Sequence, residues 1–198
     1  MRATLVIYVH GFLCTNNPPR VSALRQHVEE HQLAIDVVSP RLPGKPRAAI
    51  TLLETLIETQ APKYESIVLI GHSLGAYFST YLVSKYHLKA VLLNPVIHGY
   101  EIMCEYLGEC YSPHFDEHFE ITVDDIEYLV GLDVETIPHK QNVMVLQQLG
   151  DEIIDQRKVS SYFDGCRLLI EEGGNHDYAN FEQHLEMVVA FLCGHETE

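Results

Sequence analysis

The chain has 198 residues, of which 28 are acidic and 13 basic, giving a formal charge of −15 at pH 7. That length suits one domain, residues 1–198, with a substantial core, and 46% hydrophobic beside 21% charged residues is the balance of a soluble globular protein. The acidity argues against nucleic acid or an anionic membrane as partner, and no run of about 18 apolar residues appears that could span a bilayer.

The first apolar segment, 4–9, reads as a strand. Met1-Arg2 leads straight into it and no small-residue cleavage site follows, so a first strand and a cytoplasmic protein are expected rather than a leader peptide. Pro18-Pro19 opens a helix over 20–32. A strand at 35–38 precedes a helix over 47–60, whose Ala49, Leu52, Leu53, Leu56 and Ile57 form one stripe. Strands then fall at 66–71, 90–93, 143–148 and 167–171, with helices over 75–86 and 178–192. The last helix keeps Phe181, Leu185, Val188, Val189 and Leu192 on one face. Strands alternating with helices imply an α/β protein of three layers, a six-stranded, mostly parallel sheet between helices.

Residues 98–140 interrupt the alternation. They hold Tyr100, Tyr106, Tyr111, Phe115, Phe119 and Tyr128. Between 98 and 135 there are eleven Asp or Glu and no Lys or Arg, whereas six of the 13 basic residues lie in the first 50. Helical pieces fit 99–107 and 122–130, and an insertion of this length reads as a helical lid over a site. The five cysteines (14, 104, 110, 166, 193) form no C-x-x-C pair and read as small buried side chains in a reducing compartment.

The segment Gly71-His72-Ser73-Leu74-Gly75 carries the strongest chemical signal. A G-x-S-x-G match alone is expected by chance in roughly one chain of this length in fifteen, so its setting decides its weight. Ser66-Ile67-Val68-Leu69-Ile70 before it reads as a buried strand and Ala76–Tyr86 after it as a helix. A sharp strand-to-helix turn needs residues without Cβ crowding on both sides, which leaves the serine at a helix N-terminus where negative charge is favoured. Three further loops follow strands: His10-Gly11-Phe12, Gly150-Asp151-Glu152 and Gly173-Gly174-Asn175-His176. All lie at strand carboxyl ends, where open parallel sheets bind ligands. The chain order Ser, Asp, His is that of α/β-hydrolases.

On these segments the chain resembles the α/β-hydrolase superfamily, and within it the YqiA-like esterase family. The resemblance rests on Tyr8–Phe12, Gly71–Tyr77, Leu93-Asn94-Pro95, Gln147–Asp155 and Glu171–His176. It implies a compact α/β-hydrolase fold lacking the first two strands of larger relatives, with the second strand at the edge followed by the first, third, fourth, fifth and sixth. It also implies ester hydrolysis, with thioester hydrolysis as the alternative, on a small-molecule substrate and without cofactor. The family pattern often has Ser at His72 and Gly at Ala76; neither position bears the reacting groups.

The roles follow from the chemistry. Ser73 is the candidate nucleophile, His176 the base that takes and returns its proton, and Asp151 the acid that orients and stabilises the imidazolium. The backbone N–H groups of Phe12 and Leu74 are the candidate oxyanion donors. Asp155 is the rival acid, but Asp151 directly follows the turn glycine. His184 and His195 are rival bases; the first reads as an exposed helix-face residue and the second as part of the chain end. His10 reads as shaping the oxyanion loop, His72 as packing or hydrogen-bonding beneath the serine, and Asp177 as an ordinary residue opening a helix.

One other pattern competes. His114-Phe115-Asp116-Glu117-His118 matches H-x-x-E-H, and Ser112-Pro113 suits a helix start, so both histidines could share a face and bind zinc. No third ligand is evident and the match lies in the acidic insertion, so a solvated helix face is expected and no metal. A non-catalytic binding module on the same fold is the remaining alternative.

Overall fold

In the computed structural model, which describes residues 3–194, the central strands are apolar on both faces, and this sets the layering. In β1 (Thr4–Val9), Leu5, Ile7 and Val9 enter one core cluster while Val6 and Tyr8 enter the other. In β3 (Ser66–His72), Ile67 and Leu69 oppose Val68 and Ile70 in the same way. The first cluster is closed by α2 (Pro46–Gln60) through Ala49, Ile50, Leu53 and Ile57, and by α3 (Leu74–Tyr86) through Ala76, Phe78, Leu82 and Val83. The second is closed by α1 (Pro19–Glu30) through Val21 and Leu24, and by α7 (Leu185–Cys193) through Leu185, Val188 and Leu192.

The remaining strands of the main sheet are β2 (Ile35–Val38), β4 (Lys89–Leu93), β7 (Val143–Gln148) and β8 (Arg167–Glu171). The order is β2-β1-β3-β4-β7-β8 and every pairing is parallel. This is the α/β fold and the strand order expected. The order reverses between β1 and β3, so the loops after these two strands face one another at the switch point.

The stretch between β4 and β7 departs from a purely helical insertion. It begins with the short helix α4 (Gly99–Met103) and a 3₁₀ turn (Cys104–Tyr106), and later forms α5 (Val123–Val130). Between them lies an antiparallel hairpin, β5 (Gly108–Ser112) with β6 (Glu117–Ile121). Exposure alternates along both strands, a period of two that excludes a helix there. The expected helix start at Ser112-Pro113 is instead the approach to the hairpin turn, which Asp116 closes at φ 49°. His114 therefore sits in the turn and His118 on β6 against Tyr111, so no helix face pairs them. Among the described residues no three His, Cys, Asp or Glu are grouped to hold a metal ion.

The basic segment 41–47 docks this acidic excursion. Lys45 pairs with Asp125 at 3.0 Å and Arg41 with Glu117 at 2.8 Å. Arg41 also lies over the Phe115 ring and Arg47 over that of Tyr128. Asp125 belongs to a capping box with Thr122, which fixes the start of α5. From the core side, the Tyr77 hydroxyl donates to the Leu129 carbonyl at 2.5 Å.

Two further differences concern helices. Asp155, whose carboxylate accepts from the Arg157 N–H, starts the short α6 (Gln156–Tyr162), which sequence periodicity did not predict. The last helix begins at Leu185, behind a 3₁₀ turn, rather than at 178, because Tyr178 and Asn180 take φ of 58° and 60°. Among the described residues no helix is long and apolar enough to cross a membrane. His195 lies outside the described residues.

Candidate active site

Ser73 stands between the end of β3 and the start of α3 with φ 55° and ψ −122°, a conformation that β-substituted residues rarely hold. Its backbone is pinned on both sides. The Ser73 N–H donates to Leu93 O at 3.1 Å, and its carbonyl accepts from Ala76 N at 3.0 Å and Val96 N at 3.3 Å. Gly75 is required because a Cβ there would collide with the carbonyls of Val9 and His10 at the end of β1. Gly11 brings the second loop in: a Cβ on it would lie 3.2 Å from that of Ser73.

The Ser73 Oγ is 2.9 Å from His176 Nε2, and His176 Nδ1 is 3.0 Å from both carboxylate oxygens of Asp151. The three sequence-predicted residues, more than 100 positions apart between Ser73 and His176, are thus brought together. The Asp151 side chain is fully shielded from solvent. Burial pushes its carboxyl up. The His176 hydrogen bond and the N–H groups of Ile154 and Ile153, each 2.9 Å from Oδ1, outweigh it and hold the group below the usual carboxylate range. Asp155 is engaged with Arg157 instead and takes no part in this cluster.

The two residues that carry the candidate oxyanion donors, Phe12 and Leu74, line one cavity. Leu74 opens α3, so its N–H has no partner in a preceding helical turn. The loop carrying Phe12 is shaped by His10, which is 5% exposed. The ring nitrogens of His10 both meet backbone: Nε2 accepts from Leu42 N at 3.1 Å, so Nδ1 carries the proton and donates to Gly11 O at 2.9 Å. Burial pushes its pKa down, consistent with a fixed neutral imidazole.

Beside the oxyanion loop lies a narrow cavity of about 30 Å³. Phe12, Phe78, Phe115 and Phe119 wall it, with Leu74 from the elbow. Phe12 meets Tyr106 edge-on at 4.9 Å and Phe119 at 6.0 Å, so residues of the 99–130 excursion complete the wall. The Ser112 hydroxyl is buried at this cavity without a hydrogen-bond partner among the described residues.

Sequence reasoning assigned no role to the polar residues that hold the His176 loop. Asn94 Nδ2 donates to Asn175 O at 2.8 Å and His176 O at 3.1 Å, while its Oδ1 accepts from Gln148 N. The Gln148 side chain accepts from Asn175 N and Ala179 N and donates to Ala179 O. Glu152 accepts from the His176 N–H at 3.0 Å. The signal available was positional: Asn94 directly follows, and Gln148 ends, a strand with a buried apolar run. His184 is not an exposed helix-face residue; its side chain is 16% exposed and its Nε2 lies 3.1 Å from Glu171. Asp177 precedes any helix and pairs with Arg20 at 3.5 Å.

Residues 5–193 match the protein-family model described as "Uncharacterised protein family (UPF0227)". The chain belongs to the UPF0227, or YqiA-like, family. Solved structures share its fold at low identity. Est1E from Butyrivibrio proteoclasticus superposes with a TM-score of 0.72 at 16% identity, over 98% of this chain and 88% of that one. Alpha/beta hydrolase domain-containing protein 10 from mouse gives 0.73 at 15%, over 97% and 90%. The esterase domain of a Rhodothermus marinus protein gives 0.65 at 15%, over 97% and 85%. The α/β-hydrolase fold of this UPF0227 chain is thereby shown.

Proposed function

We propose that this UPF0227 protein is a serine carboxylesterase working through Ser73, His176 and Asp151 by way of an acyl-enzyme. The observation that carries the reading is the chain of contacts at 2.9 and 3.0 Å from Ser73 through His176 to Asp151, on a strained elbow. His176 Nε2 removes the Ser73 proton as Oγ attacks the ester carbonyl carbon. The N–H groups of Leu74 and Phe12 receive the negative charge that develops on the carbonyl oxygen, each worth about 3–4 kcal/mol of barrier in comparable sites. The imidazolium, stabilised by Asp151, then protonates the departing alcohol as the C–O bond breaks. A water, deprotonated by the same imidazole, attacks the acyl-enzyme, and Ser73 leaves with its proton restored.

We read residues 98–140 as the lid of a single domain and the phenylalanine-walled cavity as the acyl site. At about 30 Å³ it has room for one or two water-sized groups, which favours short acyl chains. The test is a p-nitrophenyl ester series from acetate to palmitate with wild type and Ser73→Ala side by side. Turnover highest for the short esters and absent from the variant is expected. Turnover surviving Ser73→Ala refutes the nucleophile, and a maximum at palmitate refutes the acyl site.

A further inference from the structure

The guanidinium of Arg20 is buried behind His176, and among the described residues no close, well-shielded carboxylate balances it. Arg20 is 8% exposed, and the nearby Asp177 carboxylate is 3.5 Å away and 78% exposed. The donors of Arg20 go elsewhere: Nε to the Tyr8 hydroxyl at 3.0 Å, Nη1 to the Asp177 carbonyl, and Nη2 to His72 Nδ1 at 3.4 Å. A guanidinium can only donate, so His72 Nδ1 must accept and its proton resides on Nε2. That Nε2–H donates to the His176 carbonyl at 2.8 Å. One arginine on α1 therefore reaches two successive carbonyls of the loop that bears His176: that of Asp177 directly and that of His176 through a buried imidazole. Nothing in the chemistry of ester cleavage requires either residue, and among the described residues neither side chain hydrogen-bonds Ser73 Oγ, which meets His176.

We propose that Arg20 and His72 form a strut that positions His176, fixing the backbone at 176–177 so that the imidazole meets Ser73 and Asp151 together. The inference rests on the triad reading above. The strut is directional, because Arg20 dictates the His72 tautomer and only that tautomer can donate to the loop. His72 stays uncharged in it: burial and the neighbouring Arg20 push its pKa down to about 3. The other charged or titratable groups facing it are His176, whose ring centroid is 5.2 Å away, and Asp151, with Tyr8 and Asp177 meeting it through Arg20. Asn94 also binds the His176 carbonyl, so the loop stays in place without the strut while its imidazole loses exact registry.

The experiment compares His72→Leu, His72→Gln, Arg20→Lys and Ser73→Ala on a short-chain p-nitrophenyl ester. Alongside kcat and KM it records the downfield proton resonance of the His176 Nδ1–H···Asp151 hydrogen bond. His72→Leu removes the donor and should lower kcat about 100-fold with KM little changed, the cost of a misplaced catalytic group. The downfield resonance should broaden or vanish. His72→Gln, whose amide can donate to the same carbonyl, should restore most of kcat. Arg20→Lys keeps the charge without the fork and should fall between them. If His72→Leu fails to fold, Arg20→Lys decides. Wild-type kcat in His72→Leu, or in Arg20→Lys, overturns the strut. So does a His72→Gln as inactive as His72→Leu. Loss in Ser73→Ala with full activity in His72→Leu and Arg20→Lys leaves the triad standing and removes the strut alone; turnover in Ser73→Ala removes the triad and the strut with it.

Discussion

Acidification should unfold this protein in part through His72, and the size of the effect follows from its surroundings. His72 is 1% exposed, and burial together with Arg20 lowers its pKa to about 3, against about 6.5 for an unfolded imidazole. As pH falls below 6.5 the unfolded chain takes up a proton that the folded chain refuses until near 3. The unfolded state therefore binds more protons across that window, and stability rises with pH within it and falls on acidification. Relative to neutral pH the loss from this one residue is about 2 kcal/mol at pH 5 and about 3 kcal/mol at pH 4. Burial lowers the His10 pKa too, and Asp151 loses its stabilising ionisation at still lower pH, so the whole protein weakens in the same direction. Comparison with His72→Gln isolates the histidine, since the other groups remain in both proteins. Urea unfolding followed by far-ultraviolet circular dichroism, at about pH 7.5, 6 and 5, measures the difference. The wild type should lose about 2 kcal/mol more than the variant between the extremes. Parallel pH dependences would show that His72 titrates normally, and would refute both its burial and its fixed tautomer.

Other outcomes follow from single contacts. Asp151→Asn should leave the protein folded and lower kcat by up to about 10⁴-fold, because the amide no longer selects the productive tautomer of His176; Asp155→Asn keeps an acceptor for the α6 cap, should cost only the exposed Arg157 ion pair and should leave kcat alone. Equal losses in the two would reverse the assignment of the acid. Phe119→Ala opens one wall of the cavity and should raise the octanoate-to-butyrate ratio of kcat/KM by about tenfold or more, read from the same ester series. An unchanged ratio would place the acyl chain elsewhere. Thr122→Ala removes half of the capping box and should destabilise α5 by about 1 kcal/mol, seen as faster amide exchange in its first turn. Exchange as slow as in the wild type would mean that the Lys45–Asp125 pair and packing hold the helix without the cap.

The frame and the reacting residues could be read from the sequence because each is written locally. A buried parallel strand needs a continuous apolar run, which the central strands carry, and the ends of all six strands differ from observation by no more than a residue. The elbow needs Gly on both sides of Ser73, and Asp151 and His176 follow turn glycines at strand ends. The hairpin β5–β6 was hidden because Glu109, Tyr111, His118 and Glu120 face outward, leaving an alternation whose inner members, Cys110 and Phe119, are too few to outweigh a helical reading. Its turn at Asp116 supplied the H-x-x-E-H spacing without a helix beneath it.

What was missed is the support behind the reacting groups, and the reason is physical. A nucleophile elbow is imposed by sterics between neighbours in sequence, so its glycines are legible. Arg20, Asn94 and Gln148 act on backbone carbonyls and N–H groups of a loop that is 27 to 157 positions away, and no local pattern records such a partner. Arg20 sits in α1 between Pro19 and Val21, where an arginine reads as one more solvated face; only the fold shows that its face is turned to the sheet and that Tyr8 and His72 wait there. The same holds for His72, whose place next to the nucleophile suggested a contact beneath it but not the direction of its hydrogen bonds. That direction comes from a donor-only guanidinium on a different element, and it turns an ordinary buried histidine into a link between α1 and the loop that bears the base.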